Sequence, residues 1–297
     1  MTAEAKIILN PYAGRWQARR CIAAVQTALE AVGLAYDLAV TEAPGQSIDL
    51  ARQASLDGWP LVVAAGGDGT ISEVVNGLVQ AAGGGEAGPL GIIALGSAND
   101  LATILGLPGD IGAACRRLAA GQTRLIDVGL VNNHCFDNNS AVGLEPVVSI
   151  ENMKIKHIKG TLRYVIAALR GIWQARSWHM RLQWDDGEYE GSITLVSVGN
   201  SPRTGGAFWM TPQAELDDGY LDFVFAPAMS RWQQLRLLPL TFSGAHVHHP
   251  LVTQARTRRL QITSSPPTPI QADGEVIARG ATDIAYTLLP KKLRVIV

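Results

Sequence analysis

Apolar residues fall along this chain in two periods, and the balance between them changes near its middle. Ile7-Ile8-Leu9 is a short apolar run that stops at Asn10-Pro11. Ile22, Val25, Leu29 and Val32 follow at helical spacing and Gly33 closes them. Ala35 to Val40 reads as a second strand and Ile48 to Leu56 as a short helix. Leu61 to Ala65 is wholly apolar, as expected of a central parallel strand buried on both faces. It ends at Gly66-Gly67-Asp68-Gly69, after which Ile71, Val74, Val75, Leu78 and Val79 mark an amphipathic helix. Gly83-Gly84-Gly85 is a turn, and Gly91 to Leu95 is the next strand. This alternation implies βαβ units and a mostly parallel sheet. The second half differs. Ser192 to Gly199, Leu221 to Ala226, Arg259 to Thr263, Ile284 to Leu288 and Leu293 to Val297 are short and strand-like. One helix interrupts them, with Leu162, Val165, Ile166, Leu169, Ile172 and Trp173 on its apolar face. Ser264 to Pro269 reads as a Pro-rich loop. The expected organisation is an α/β domain over 1–126 and a β-rich antiparallel domain over 127–288. The strand at 289–297 is able to return to the first domain.

Chemistry concentrates where strands hand over to helices. At Gly66-Gly67-Asp68-Gly69-Thr70 two glycines let the backbone approach a ligand, and the helix that follows presents unpaired N–H groups. Thr70, with Glu73 three residues on, has the capping-box spacing. The alternative is a plain strand-to-helix turn, and the sequence is neither a Walker A loop nor G-x-G-x-x-G. Gly96-Ser97-Ala98-Asn99-Asp100 occupies the equivalent place after the next strand, and Asn10-Pro11-Tyr12-Ala13-Gly14 after the first. Three such loops in phase crowd one rim of the sheet, where open α/β sheets bind ligands, and favour a nucleotide or phosphate site. Glu215-Leu216-Asp217-Asp218-Gly219-Tyr220-Leu221-Asp222 is an acidic turn that suits Mg²⁺ or Ca²⁺, or is simply solvated. Asp273-Gly274-Glu275, taken alone, reads as a hairpin turn. His246, His248 and His249 lack metal-ligand spacing, so a structural or surface role is expected.

Composition narrows the class. The 297 residues carry 25 Lys+Arg against 26 Asp+Glu, a balance that argues against a nucleic-acid binder. Three dispersed cysteines, Cys21, Cys115 and Cys135, read as reduced cytoplasmic thiols. Neither a membrane span nor a secretory h-region is evident. The charge balance is uneven locally. Between Asn152 and Trp184 there is no acidic residue but seven basic ones: Lys154, Lys156, Lys159, Arg163, Arg170, Arg176 and Arg181. Trp173, Trp178 and Trp184 lie among or just after them, which makes a face for anionic lipid headgroups or else a solvated helix with inward Trp residues.

Taken together, the motifs resemble the diacylglycerol kinase catalytic-domain family, which includes bacterial lipid kinases and sphingosine kinases. Asn10-Pro11 with Gly14 comes first, then Gly66 to Thr70 followed by Glu73-Val74-Val75-Asn76-Gly77. Gly96 to Ala102, Asp217-Asp218-Gly219 and Asp273-Gly274-Glu275 follow in the family's order. Ser97 stands where Thr is commoner, a change that keeps the hydroxyl. The resemblance implies a nucleotide-binding α/β domain and a β-rich lipid domain, with the active site in the interdomain cleft. It implies that Asn10, Pro11, Gly14, Thr41, Gly66, Gly67, Asp68, Gly69, Thr70, Ser97 and Asn99 serve ATP. Asp68 would sit by the phosphates and catalytic Mg²⁺, and Glu275 or Asp273 would take the proton from a lipid hydroxyl. Asp218, with the main-chain carbonyls of Glu215 and Tyr220, matches the place of a second, structural Mg²⁺. The implied reaction is transfer of the γ-phosphoryl group to a diacylglycerol-like or related lipid, by a cytoplasmic enzyme that visits the bilayer surface; a homodimer is compatible with it. The rivals are an NAD kinase-like enzyme, which shares a Gly-Gly-Asp-Gly loop, and a non-catalytic nucleotide- or lipid-binding regulator. The Gly96 to Asp100 loop and the late Asp273-Gly274-Glu275 motif favour the lipid family over the first.

Overall fold

The computed structural model describes residues 4–155, 158, 161–174 and 176–297. The chain divides into two compact units, one of residues 1–128 with 290–297 and one of residues 129–289.

In the first unit the chain runs β1 (Ala5–Leu9), α1 (Ala13–Ala31), β2 (Tyr36–Val40), α2 (Gln46–Leu56), β3 (Val62–Gly66), α3 (Asp68–Ala82) and β4 (Ala87–Ala94). Then come α4 (Asp100–Ile104), α5 (Ile111–Ala120) and β5 (Thr123–Val131), whose last residues pass into the second unit. β1 pairs in parallel with β2 and β3, and β3 with β4. Ile7, Leu9, Val63, Ala65 and Ile93 pack with Val25 and Leu29 of α1 and Cys115 and Leu118 of α5. The alternate positions Ile8, Val62 and Ala64 are equally buried, which is why the strands read as unbroken apolar runs rather than alternating ones. α5 starts on Asp110, whose side chain accepts from Ala113 N.

The second unit contains β6 (His134–Phe136), β7 (Asn139–Gly143), α6 (Leu144–Lys154), α7 (Thr161–Gln174), β8 (Trp178–Trp184), β9 (Gly187–Gly199) and β10 (Leu221–Pro227). It continues with α8 (Arg231–Leu237), two 3₁₀ turns, β11 (Thr253–Thr257), β12 (Arg259–Ala272) and β13 (Glu275–Ile296). The order β11-β10-β9-β7-β12-β13 is antiparallel throughout, and β8 pairs with both β9 and β12. Phe136, Phe223 and Tyr286 are fully buried at its centre. Phe136 meets Tyr286 edge to face, with ring centroids 6.1 Å apart. The expected mostly parallel sheet is therefore corrected: among the described residues parallel pairing joins β1, β2, β3, β4 and the end of β13, and antiparallel pairing predominates.

Several expectations change. Ser264 to Pro269 is not a loop but the middle of β12. Its register against β13 slips between Thr263 and Thr268, while Ser264 and Ser265 stay paired with β8. The prolines are tolerated because they sit where one ladder is already broken. The strands expected at Ile284 to Leu288 and Leu293 to Val297 are parts of one, β13. Its last residues, Leu293 and Val295, pair in parallel with β4 and so complete the first unit's sheet. Lys291 adopts a left-handed conformation there, and its N–H donates to Asp127 Oδ1 at 2.6 Å. Lys292 donates its ammonium to the carbonyls of Gly83 and Gly85, which pins the glycine turn. Among the described residues, no helix is long and apolar enough to cross a membrane.

Candidate functional site

The loops after β1, β2, β3 and β4 lie at one rim of the first unit because those strands are parallel neighbours. Asp68 ties two of them together. Asn99 N donates to its Oδ2 at 2.8 Å and Asp100 N to its Oδ1 at 2.6 Å. Burial, and then the Asp100 carboxylate, push the Asp68 carboxyl up to about 6, while those backbone bonds pull the other way. The two loops can approach because both carry glycine. A Cβ on Gly96 would lie 2.4 Å from Gly67 Cα, and one on Gly66 would lie 2.4 Å from Thr70 Oγ1. Asn99, in a left-handed conformation, closes its own loop: Gly96 N donates to Oδ1 at 3.0 Å and Nδ2 donates to Gly96 O at 3.2 Å. Ser97 is exposed at the tip.

The first loop joins the same rim. Asn10 Nδ2 donates to Thr70 Oγ1 at 3.0 Å, and Asn10 Oδ1 accepts from Tyr12 N at 2.9 Å. Pro11 is buried, and a Cβ on Gly14 would lie 2.8 Å from Leu95 O. Thr41 is buried at the end of β2, its N–H donating to Leu9 O at 2.9 Å. The capping expectation fails. α3 starts at Asp68 with Gly67 before it, so Thr70 already lies inside the first turn. Glu73 instead accepts from Gly45 N at 2.8 Å.

In the second unit, Asp273 and Gly274 form a two-residue turn between Ala272 and Glu275, both with positive φ. Asp273 Oδ1 accepts from the N–H groups of Asn138 and Asn139 at 3.0 Å each, and Oδ2 from Asp137 N at 3.1 Å. Both its oxygens are thus engaged by backbone. Glu275 is exposed where β13 begins.

Sequence reading missed what lies beneath this turn. Gly274 N donates to Gln271 Oε1 at 2.8 Å, and Gln271 Nε2 to Asn139 Oδ1 at 2.6 Å. Asn139 Nδ2 donates to Ser197 Oγ at 2.8 Å, and Ser197 bonds the carboxyl of Glu145. Glu145 as a residue is half-buried, yet its Oε1 is fully covered and finds no partner. Burial pushes this carboxyl up to about 7, against the Ser197 bond. Its one sequence signal was a glycine at a strand-to-helix turn, Gly143, as in the loops of the first half.

At the acidic turn, Asp218 Oδ1 accepts from Tyr220 N at 3.0 Å and Oδ2 is ion-paired with Arg256. Glu215 is exposed. Among the described residues, no three His, Cys, Asp or Glu side chains are grouped as a metal site. His246 is buried against Met210 O at 3.1 Å.

The basic stretch is only partly surface. Trp178 and Trp184 belong to the core, Trp184 packing on Phe223, because β8 alternates inward and outward residues. Arg163 is spent on Asn152 O, Arg181 on Glu188 and Lys154 on Glu151. Lys156 and Lys159 lie outside the described residues. Trp173 alone of the three indoles is exposed, with the Arg231 guanidinium 4.9 Å from its ring centre.

Residues 4–131 match the family model described as the diacylglycerol kinase catalytic domain. Residues 139–297 match the one described as YegS C-terminal NAD kinase beta sandwich-like domain. A Staphylococcus epidermidis protein named diacylglycerol kinase is 32% identical over 276 residues, which span 93% of this chain and 86% of that protein. One of the same name from Staphylococcus aureus is 30% identical, over 93% of this chain and 87% of its own. A solved structure of a Bacillus anthracis diacylglycerol kinase superposes with a TM-score of 0.74 at 19% identity, covering 100% of this chain and 97% of that one. A second structure from that organism reaches 0.81 at 22%, covering 100% and 98%; both likenesses speak to the fold. The chain belongs to the diacylglycerol kinase family, and it is a lipid kinase that takes its phosphoryl group from a nucleotide.

Proposed function

We propose that the enzyme transfers the γ-phosphoryl group of ATP, with Mg²⁺, to a hydroxyl of diacylglycerol or a closely related lipid, with Glu275 as general base. The observation that carries the choice of base is the engagement of Asp273 by three backbone N–H groups. That carboxylate holds the turn, and the proton falls to Glu275. A carboxylate so placed contributes roughly 10²–10⁴-fold, mainly as the hydroxyl loses its proton in the transition state.

The rim of the first unit suits the polyphosphate. Its glycine loops bring backbone close to a ligand, and the first turn of α3 has N–H groups that no helix carbonyl matches. Asp68 fits a divalent cation, since a cation beside it offsets the burial that now raises its proton affinity. Bound there, Mg²⁺ supplies charge neutralisation on the phosphate oxygens. The chain's own residues bind and orient: Asn10 fixes Thr70, and Asp68 fixes the loop of Ser97 and Asn99. The names of the staphylococcal relatives support diacylglycerol as the acceptor.

Such an acceptor is reached at a bilayer. Leu162, Leu169 and Trp173 of α7 and Trp232 of α8 are exposed, with Arg231 against Trp173. This combination suits the headgroup level of an anionic membrane, where each nearby basic residue contributes about 1 kcal/mol.

Labelled ATP with a panel of lipids tests the reaction. Label should enter the organic phase with diacylglycerol, and Glu275→Gln should lose that transfer while still binding nucleotide. Wild-type turnover in Glu275→Gln removes the base assignment. Co-sedimentation with phosphatidylglycerol vesicles tests the surface. Binding left intact by Trp173→Ser with Trp232→Ser places the membrane contact elsewhere.

A further inference from the structure

We propose that the acidic turn entering β10 carries its own cation: the guanidinium of Arg256 stands where the family resemblance implies a structural Mg²⁺, and the second unit folds without that metal. The placement follows from strand register. β10 and β11 are antiparallel, with Asp222 directly opposite Arg256, so the two side chains share a face of the sheet. From there Arg256 reaches Asp218 Oδ2 through one guanidinium nitrogen, while its Nε lies 3.4 Å from Asp222 Oδ2. The other oxygen of Asp218 accepts from Tyr220 N. The one carboxylate in the expected ligand set therefore has a partner on each oxygen.

The guanidinium is itself held in place. The ring of Tyr220 carries two cations, with the Arg256 and Arg258 guanidinium carbons each 4.9 Å from its centre. Arg258 Nε also donates to Gly219 O at 3.4 Å. A planar fork suits this work, because it bonds Asp218, stands within ion-pair distance of the buried Asp222 Oδ2, which makes no hydrogen bond, and never loses its charge. Mg²⁺ would demand near-octahedral oxygens at about 2.0–2.1 Å. Such an ion on Asp218 would have to displace the guanidinium and would repel it. The turn thus has a charge partner that does not depend on the metal supply.

The test needs no turnover and stands apart from the kinase assignment. Thermal unfolding of the full chain without nucleotide is followed in EDTA and in millimolar Mg²⁺. The wild type should unfold at the same temperature in both. Arg256→Gln should unfold several degrees lower in EDTA, as expected for a loss of about 1–2 kcal/mol in a domain of this size. An Arg256→Gln midpoint equal to the wild type's overturns the proposal. Mn²⁺ titration read by electron paramagnetic resonance gives an answer even where Arg256→Gln does not fold. The wild type should show no tight site that Asp218→Asn removes, and such a site overturns the proposal.

Discussion

Three backbone donors on Asp273 distinguish two acidic residues that stand one glycine apart in the sequence. Asp273→Ala should therefore lower the unfolding midpoint as well as activity, because it strands the N–H groups of residues 137–139, at about 1–3 kcal/mol for each one left buried and unpaired. Glu275→Gln should lower activity with a smaller fall in the midpoint than Asp273→Ala gives, and an equal fall in both variants would undo the distinction. Gly96→Ala brings a Cβ to 2.4 Å from Gly67 Cα and so spreads the two loops that Asp68 joins. We expect weaker nucleotide binding as well as lower stability, read by equilibrium binding of a non-hydrolysable ATP analogue. Glu145 supplies a pH signature. Its carboxyl is raised from 4.5 to about 7 in the folded chain, so between those values the folded state holds the proton that the unfolded state has released. Stability from this group falls as pH rises through that window and is flat above it. Glu145→Gln should therefore gain on the wild type between pH 4 and pH 8 in unfolding midpoint; a pH-independent gap would remove the account. None of these three roles was readable from residue type. Asp273 and Glu275 differ only by partners distant in sequence, and Glu145 stands among apolar neighbours with no periodic signal.

At the level of elements, legibility followed burial. β1 and β3 were clear because both faces are covered, which leaves a pure apolar run. α7 was clear because its apolar stripe is wide. Termini were less legible, since caps depend on contacts as well as spacing. Thr70 and Glu73 have capping spacing, but Asn10 and Gly45 claim them. The cap of α5 shows the reverse, a real one on Asp110 that the pattern did not announce. Asp110→Ala should cost about 1 kcal/mol, measured by urea unfolding, and no loss would show that the helix is held by packing alone. β12 was hidden by its prolines, because a sequence does not say which ladder a proline interrupts. The three loops in phase were readable for a simple reason. Parallel strands put their carboxyl ends on one side, so spacing along the chain becomes proximity in space.

On the scale of the whole molecule, the first unit is discontinuous. Its sheet takes a strand from the far end of the chain, with Leu293 and Val295 fully buried and Val297 N donating to Gln122 O at 2.8 Å. Removing residues 290–297 should therefore destabilise the nucleotide-binding unit, although it lies some 160 residues back along the chain from that segment. Limited proteolysis should then cut first within residues 1–128; protection of that region in the truncated protein would contradict the account. The same feature bears on how the protein is made. On the ribosome, β4 emerges early and waits with an open edge while the whole second unit is translated. That unit is continuous, so it can fold first, from its own residues. The nucleotide-binding sheet closes only when residues 290–297 have been made, and a chain cut short before them is left with an unfinished kinase and an exposed strand for quality control to find.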